Sequence, residues 1–131
     1  MKAALGHLQI NVSSKKSLEF YKDLLPFLGF KKAAGGDWGV GYYSGKSSFW
    51  VMLVDKKYMK KSFHRKDVGL NHIAFLVSSK KAVDDFYNKF LKVKKIQTLY
   101  QSPKKFPEYT KKYYAVFFED PDRIKLEVVY H

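Results

Sequence analysis

With 131 residues the chain has the length of one domain, enough to bury a core and too short for two ordinary globular domains side by side. Its 25 lysines and arginines against 12 acidic residues give a formal charge of +13, while 46% hydrophobic and 18% aromatic content excludes a disordered basic tail. The absence of cysteine excludes disulfide staples, thiolate nucleophiles, iron–sulfur clusters and cysteine zinc sites, and leaves histidine and methionine as the soft ligands.

The first eight residues carry one lysine and lead into a strand pattern without the apolar stretch of a signal peptide. No apolar run approaches the roughly 20 residues of a membrane-spanning helix, so a soluble cytoplasmic protein with no membrane partner is expected. Leu8, Ile10 and Val12 alternate with His7, Gln9 and Asn11, the period-two signal of a strand with two different faces. The serines that follow are candidate helix N-caps. Leu18, Tyr21, Leu24 and Leu25 form the apolar face of a helix expected to end near Pro26 and Gly29. Strands are expected over Val40–Tyr43 and Ser48–Val54, and a polar, basic linker over Asp55–Val68.

The chain then repeats itself. The segment ALGHLQINVSSKK from Ala4 returns as GLNHIAFLVSSKK from Gly69, with Leu5, His7, Val12 and the Ser-Ser-Lys-Lys run matching without a gap. Val83, Phe86, Tyr87, Phe90 and Leu91 give the second helix its apolar face. Strands follow over Lys95–Tyr100, Tyr113–Glu119 and Ile124–Tyr130, the last two divided by the turn Asp120-Pro121-Asp122-Arg123. The residues from Ser102 to Lys112 are expected to form a lysine-rich loop. Strand, helix and a run of strands occur twice: residues 1–54 and 69–131 form two homologous modules of one domain, joined by linker 55–68.

The high positive charge suggests an anionic partner. Nucleic acid is disfavoured, because the lysines are dispersed in pairs along the chain and the only arginines are Arg65 and Arg123. Homology of the modules makes His7 and His72 equivalent residues of equivalent strands, and paired histidines suggest a metal. Glu127 is the one carboxylate among the apolar residues of the last strand, where a buried carboxylate requires a cation or a donor. Two imidazoles and a carboxylate suit iron, manganese, nickel or zinc, with positions left for substrate or water.

Gly6-His7, Phe20-Tyr21-Lys22-Asp23-Leu24-Leu25, Leu70-Asn71-His72 and Phe118-Glu119-Asp120-Pro121-Asp122 before Leu126-Glu127 together resemble the vicinal oxygen chelate superfamily. Its members include glyoxalase I, extradiol dioxygenases, methylmalonyl-CoA epimerase and the fosfomycin and bleomycin resistance proteins. The resemblance implies an α+β fold, two tandem βαβββ modules forming a cupped mixed sheet around a divalent metal, with His7, His72 and Glu127 at the ligand positions. It also implies a homodimer, the metal site lying within one chain or shared between two. Aligning Trp50–Val54 with Lys125–Val129 puts Met52 where glyoxalase I places a fourth ligand, and a thioether binds hard divalent ions poorly. Phe117 falls where fosfomycin-type members carry a tyrosine.

A Lewis-acid catalyst of lyase, isomerase or dioxygenase type, acting on a small oxygenated substrate that an anionic group would suit, is therefore expected. Gln9 is the candidate for orienting a substrate oxygen, and Trp38, Tyr42, Trp50 and Tyr114 are candidate pocket walls. The competing reading is a metal-free protein that sequesters a small molecule, as bleomycin resistance proteins do.

Overall fold

The computed structural model describes residues 1–59 and 63–131. The chain divides into two compact units, Met1–Ser62 and Phe63–His131. The linker expected over 55–68 includes residues 60–62, which lie outside the described residues.

Unit 1 runs β1 (His7–Val12), α1 (Lys15–Phe27), β2 (Lys31–Gly35), β3 (Gly39–Ser44) and β4 (Ser47–Leu53), followed by one 3-10 turn at Lys56–Tyr58. Its strands are ordered β1-β4-β3-β2, with β1 parallel to β4 and the other pairs antiparallel. Ser14 caps α1, its Oγ accepting from the Ser17 amide at 3.2 Å, a contact of the kind worth about 1 kcal/mol. Pro26 sits in the last turn of the helix, and Gly29, at φ +86°, closes it. The Gly29 amide donates to the Pro26 carbonyl and the Phe30 amide to the Leu25 carbonyl, both at 2.9 Å, the paired bonds of a Schellman stop.

Unit 2 repeats the plan with β5 (His72–Leu76), α2 (Lys80–Phe86) continued by a π-helical turn (Tyr87–Leu91), β6 (Thr98–Lys105), β7 (Tyr114–Glu119) and β8 (Lys125–Tyr130). The strand order is β5-β8-β7-β6, again with one parallel pair. Ser79 caps α2 as Ser14 caps α1, accepting from the Ala82 amide at 3.1 Å. Each unit is thus a βαβββ module, the α+β architecture expected from the repeat.

In each unit one face of the sheet packs on the helix. In unit 1 the buried Leu18, Tyr21, Leu24 and Leu25 belong to α1, and Val40, Tyr42, Phe49 and Val51 are the buried hydrophobic residues of β3 and β4; the rings of Tyr21 and Phe49 stack at 6.0 Å. In unit 2 Phe86 packs on Phe118 at 5.3 Å, beside the buried Val83, Phe90, Val116, Leu126 and Val128. Alternation then places Ala115, Phe117, Glu119, Glu127 and Val129 on the opposite face of β7 and β8. There Phe106, Ala115, Phe117 and Val129 form a second buried cluster, with Leu99 and Tyr113 against it.

Two features depart from the sequence reading. β2 carries no apolar alternation, and all five of its residues, KKAAG, are exposed. It is an edge strand whose lysines guard its free side, so periodicity had nothing to detect. β6 begins at Thr98 and not at Lys95, and extends to Lys105, into the segment expected to be loop. Its register with β7 breaks between Leu99 and Lys104, and the buried Ser102 spans the break: its Oγ accepts from the Phe117 amide at 2.9 Å and donates to the Leu99 carbonyl at 2.7 Å.

Candidate functional site

The face of unit 2 that turns away from α2 carries the densest polar chemistry. Glu127 lies on β8 with no exposed surface, directly across from Phe117 on β7 and Ala74 on β5. Its Oε1 accepts a hydrogen bond from the Tyr113 hydroxyl at 2.7 Å. Its Oε2 is buried, has no hydrogen-bond partner among the described residues, and stands 3.3 Å from Nε2 of His72.

The tautomer of His72 follows from its neighbour. Asn71 donates through Nδ2 to the Arg65 carbonyl at 3.1 Å, which turns its Oδ1 toward His72 Nδ1 at 2.8 Å. An amide oxygen only accepts, so Nδ1 carries the proton and Nε2 presents its lone pair to Glu127 Oε2. Burial, and next the charge of Lys125, hold the His72 pKa below its ordinary 6.5, against the opposing pull of Glu127, so the ring is neutral at pH 7. In this tautomer an acceptor nitrogen and a buried carboxylate oxygen face each other at 3.3 Å.

Such a pair fits a divalent cation. Two ligand atoms each about 2.0–2.2 Å from one ion stand roughly 3 Å apart, and Oε2 is a buried polar atom without a hydrogen-bond partner among the described residues. Asn71 fixes the imidazole through its second nitrogen and Tyr113 occupies the second carboxylate oxygen, the outer supports that orient ligands. Burial, then the bond to Glu127, raise the Tyr113 pKa and keep its hydroxyl a donor. Among the described residues no group of three or more His, Asp or Glu side chains is gathered as a ligand set. The pair His72 and Glu127 is what unit 2 itself assembles.

In unit 1 the corresponding face holds an open hollow of about 500 Å³ lined by His7, Gln9, Trp38, Trp50 and Met52. Trp38 is 61% exposed, and the Trp50 indole donates to Ser48 Oγ at 3.1 Å. Gly41 makes room for the Trp50 ring, because a Cβ there would lie 2.6 Å from it; Gly39 does the same for the Met52 sulfur, also at 2.6 Å.

The strand registers correct the internal alignment. Gln9 pairs with Trp50 in unit 1 as Ala74 pairs with Glu127 in unit 2. Trp50, not Met52, therefore occupies the place equivalent to Glu127, two residues from where the sequence comparison put it. Strand ends are poorly marked in sequence, whereas the ladder to the histidine-bearing strand fixes the pairing. An indole, like a thioether, is no ligand for a hard ion.

The candidate walls divide between faces. Trp38 and Trp50 line the hollow with His7 and Gln9. Tyr42 and Tyr114 do not share these faces. Tyr42 is buried on the α1 side, its strand partner Phe49 stacking on Tyr21. Tyr114 donates from its hydroxyl to Asp84 of α2 at 2.7 Å, and burial together with that bond pushes its pKa up to about 12. Both lie on the helix side, Tyr42 buried and Tyr114 half-buried. Tyr113 was missed, although strand parity with Phe117 pointed to it: residues 113, 115 and 117 share a face and 114 does not.

The described helices include none long and apolar enough to cross a membrane. The chain is 37% identical over 128 residues to the uncharacterised protein YqjT of Bacillus subtilis (strain 168), covering 95% of this chain and 97% of that one. A crystal structure of a provisionally assigned glyoxalase from Bacillus halodurans superposes with a TM-score of 0.87 at 36% identity, covering 97% and 95% of the two chains. Lactoylglutathione lyase from Agrobacterium tumefaciens shares the fold, with a TM-score of 0.67 at 14% identity over 98% and 94% of the chains. The profile of one family matches residues 4–128, and the chain belongs to that family, the Glyoxalase/Bleomycin resistance protein/Dioxygenase superfamily.

Proposed function

We propose that the protein is a metal-dependent catalyst of lyase, isomerase or dioxygenase type acting on a small oxygenated substrate. The observation that carries this reading is the buried Glu127 Oε2, which lacks a donor and faces the lone pair of His72 Nε2 at 3.3 Å. Iron, manganese, nickel or zinc suits this donor set, and His7, the residue of unit 1 homologous to His72, is the third ligand in this reading. A bound ion supplies Lewis acidity toward substrate oxygens. Asn71 holds the His72 ring in the ligating tautomer, and Tyr113 restricts Glu127 to one free oxygen. Gln9 orients a substrate oxygen, and Trp38 and Trp50 form apolar walls that shed water from the bound molecule. The reading includes a cytoplasmic homodimer, in agreement with the cysteine-free composition.

Elemental analysis of untagged protein, dialysed against metal-free buffer before and after divalent ions are added back, tests it beside the His72→Ala and Glu127→Gln variants. Near-stoichiometric metal in the wild type that is lost from both folded variants is the expected result. No uptake by the wild type would overturn the reading and leave the fold as a metal-free small-molecule binder.

A further inference from the structure

Among the described residues Lys125 is a cation beside His72 that no acidic side chain pairs with. It lies on β8 two residues before Glu127, on the same face, and pairs in register with His72 on β5 and with Glu119 on β7. Its ammonium stands 5.6 Å from the ring centre of Phe117 and 5.8 Å from that of Tyr100. The rings hold the cation electrostatically without cancelling its charge.

The natural neutralising partner, Glu119, is already engaged. Its Oε1 bonds to the Arg65 guanidinium, and its Oε2 is 3.6 Å from Arg123 Nε. Among the described residues Lys125 has no ion-pair partner. Arg65, Lys104, Arg123 and Lys125 outnumber Glu119 and Glu127 on this face, which is left with a net positive charge. Lys125 is half-buried, Tyr100 is 48% exposed, and the His72 side chain retains 36% of its surface, so a small solute can reach the ammonium.

We propose that Lys125 forms a binding site for an anionic oxygen group, a carboxylate or a phosphate, and that a substrate carrying such a group is anchored there beside His72. The anion site stands on unit 2 alone; only its assignment to the substrate rests on the proposed function. A fixed cation in a partly dehydrated setting, flanked by rings that cannot neutralise it, gains most from an incoming anion. The site also gives local form to the +13 charge of the chain, which concentrates anions near the surface without choosing where they bind.

The test is a titration of metal-free protein with inorganic phosphate and, separately, with acetate at low ionic strength, followed by the amide resonances of unit 2. Saturable shifts centred on His72, Phe117 and Lys125 are expected, with affinity at least tenfold weaker in Lys125→Met and restored in Lys125→Arg. Methionine keeps the apolar stem over the rings, and undisturbed resonances elsewhere in unit 2 certify its fold. Tighter phosphate binding assigns phosphate or phosphonate substrates, and tighter acetate binding assigns carboxylic acids; either sustains the proposal. Unsaturable shifts, or equal affinity in Lys125→Met, overturn it. Metal uptake is measured in a separate titration, so failure of the metal reading leaves the anion result intact and is recognised independently.

Discussion

The two units share a plan, and one pair of strand positions sets their faces apart. Where unit 2 sets Phe117 across from the buried Glu127, unit 1 sets Gly41 across from Trp50. Around Glu127 the aromatic residues Phe106, Tyr113 and Phe117 build a second core, inside which a carboxylate is held by one hydroxyl and left with one bare oxygen. In unit 1 the indole lies across a glycine and borders an open hollow with exposed polar groups. One half of the duplication thus encloses a buried carboxylate and the other borders an open surface, by exchanging which strand carries the bulk. A duplicated module need not duplicate its site, because one register position on a shared scaffold can hold an acid or a ring.

The largest expected effect comes from removing what distinguishes the Glu127 pocket. Tyr113→Phe leaves both oxygens of a buried carboxylate without a donor, which is expected to cost about 1–3 kcal/mol of stability in the metal-free protein. It should also weaken metal binding by roughly 10–100-fold, the usual effect of losing a ligand's outer support. Denaturant unfolding and calorimetric metal titration measure the two, and an unchanged metal affinity would make Tyr113 merely structural.

On the unit 1 side, Gly41→Ala drives a methyl group into the Trp50 ring and is expected to cost about 1–3 kcal/mol. The penalty should shrink by at least half in a Trp50→Ala background, as a double-mutant cycle by denaturant unfolding would show. Equal penalties in both backgrounds would mean that the glycine serves the backbone and not the indole.

A smaller effect follows from His72. Its folded pKa lies below the ordinary 6.5, so the unfolded chain takes up the proton first as pH falls. The contribution to stability is therefore full above about pH 6.5 and is lost as pH drops through the folded value. The difference in melting temperature between wild type and His72→Gln should narrow or reverse across that window in metal-free buffer. A pH-independent difference would remove His72 as its source.

Tyr114→Phe, one residue from Tyr113, should do least. It deletes the bond to Asp84 on the helix side, at about 1 kcal/mol, and leaves metal binding untouched. Adjacent tyrosines with opposite consequences would be the sharpest confirmation that the two faces of β7 have separate work.

Much of this was legible before any coordinates. The Ser-Ser-Lys-Lys repeat marked both helix starts, and Ser14 and Ser79 cap them through short-range bonds that depend on little else. Pro26 and Gly29 marked the helix stop for the same local reason. Glu127 stood out because an acid in an apolar strand is costly unless something answers it. β2 was invisible because an exposed edge strand has no hydrophobic period, and β6 was cut short because Ser102, not an apolar residue, bridges its irregular register.

By itself, then, the sequence determined the duplication, both helices and every strand but β2 in order, and the residue types capable of ligation, since these rest on periodicity, local capping and the cost of burying charge. Only the tertiary structure decided that Trp50 is the counterpart of Glu127 and that Tyr113 and not Tyr114 serves the carboxylate. It alone showed that Lys125 has no ion-pair partner among the described residues while Glu119 bonds two arginines. These depend on register and on which of two faces a side chain takes, where a shift of one residue reverses the answer and composition is silent.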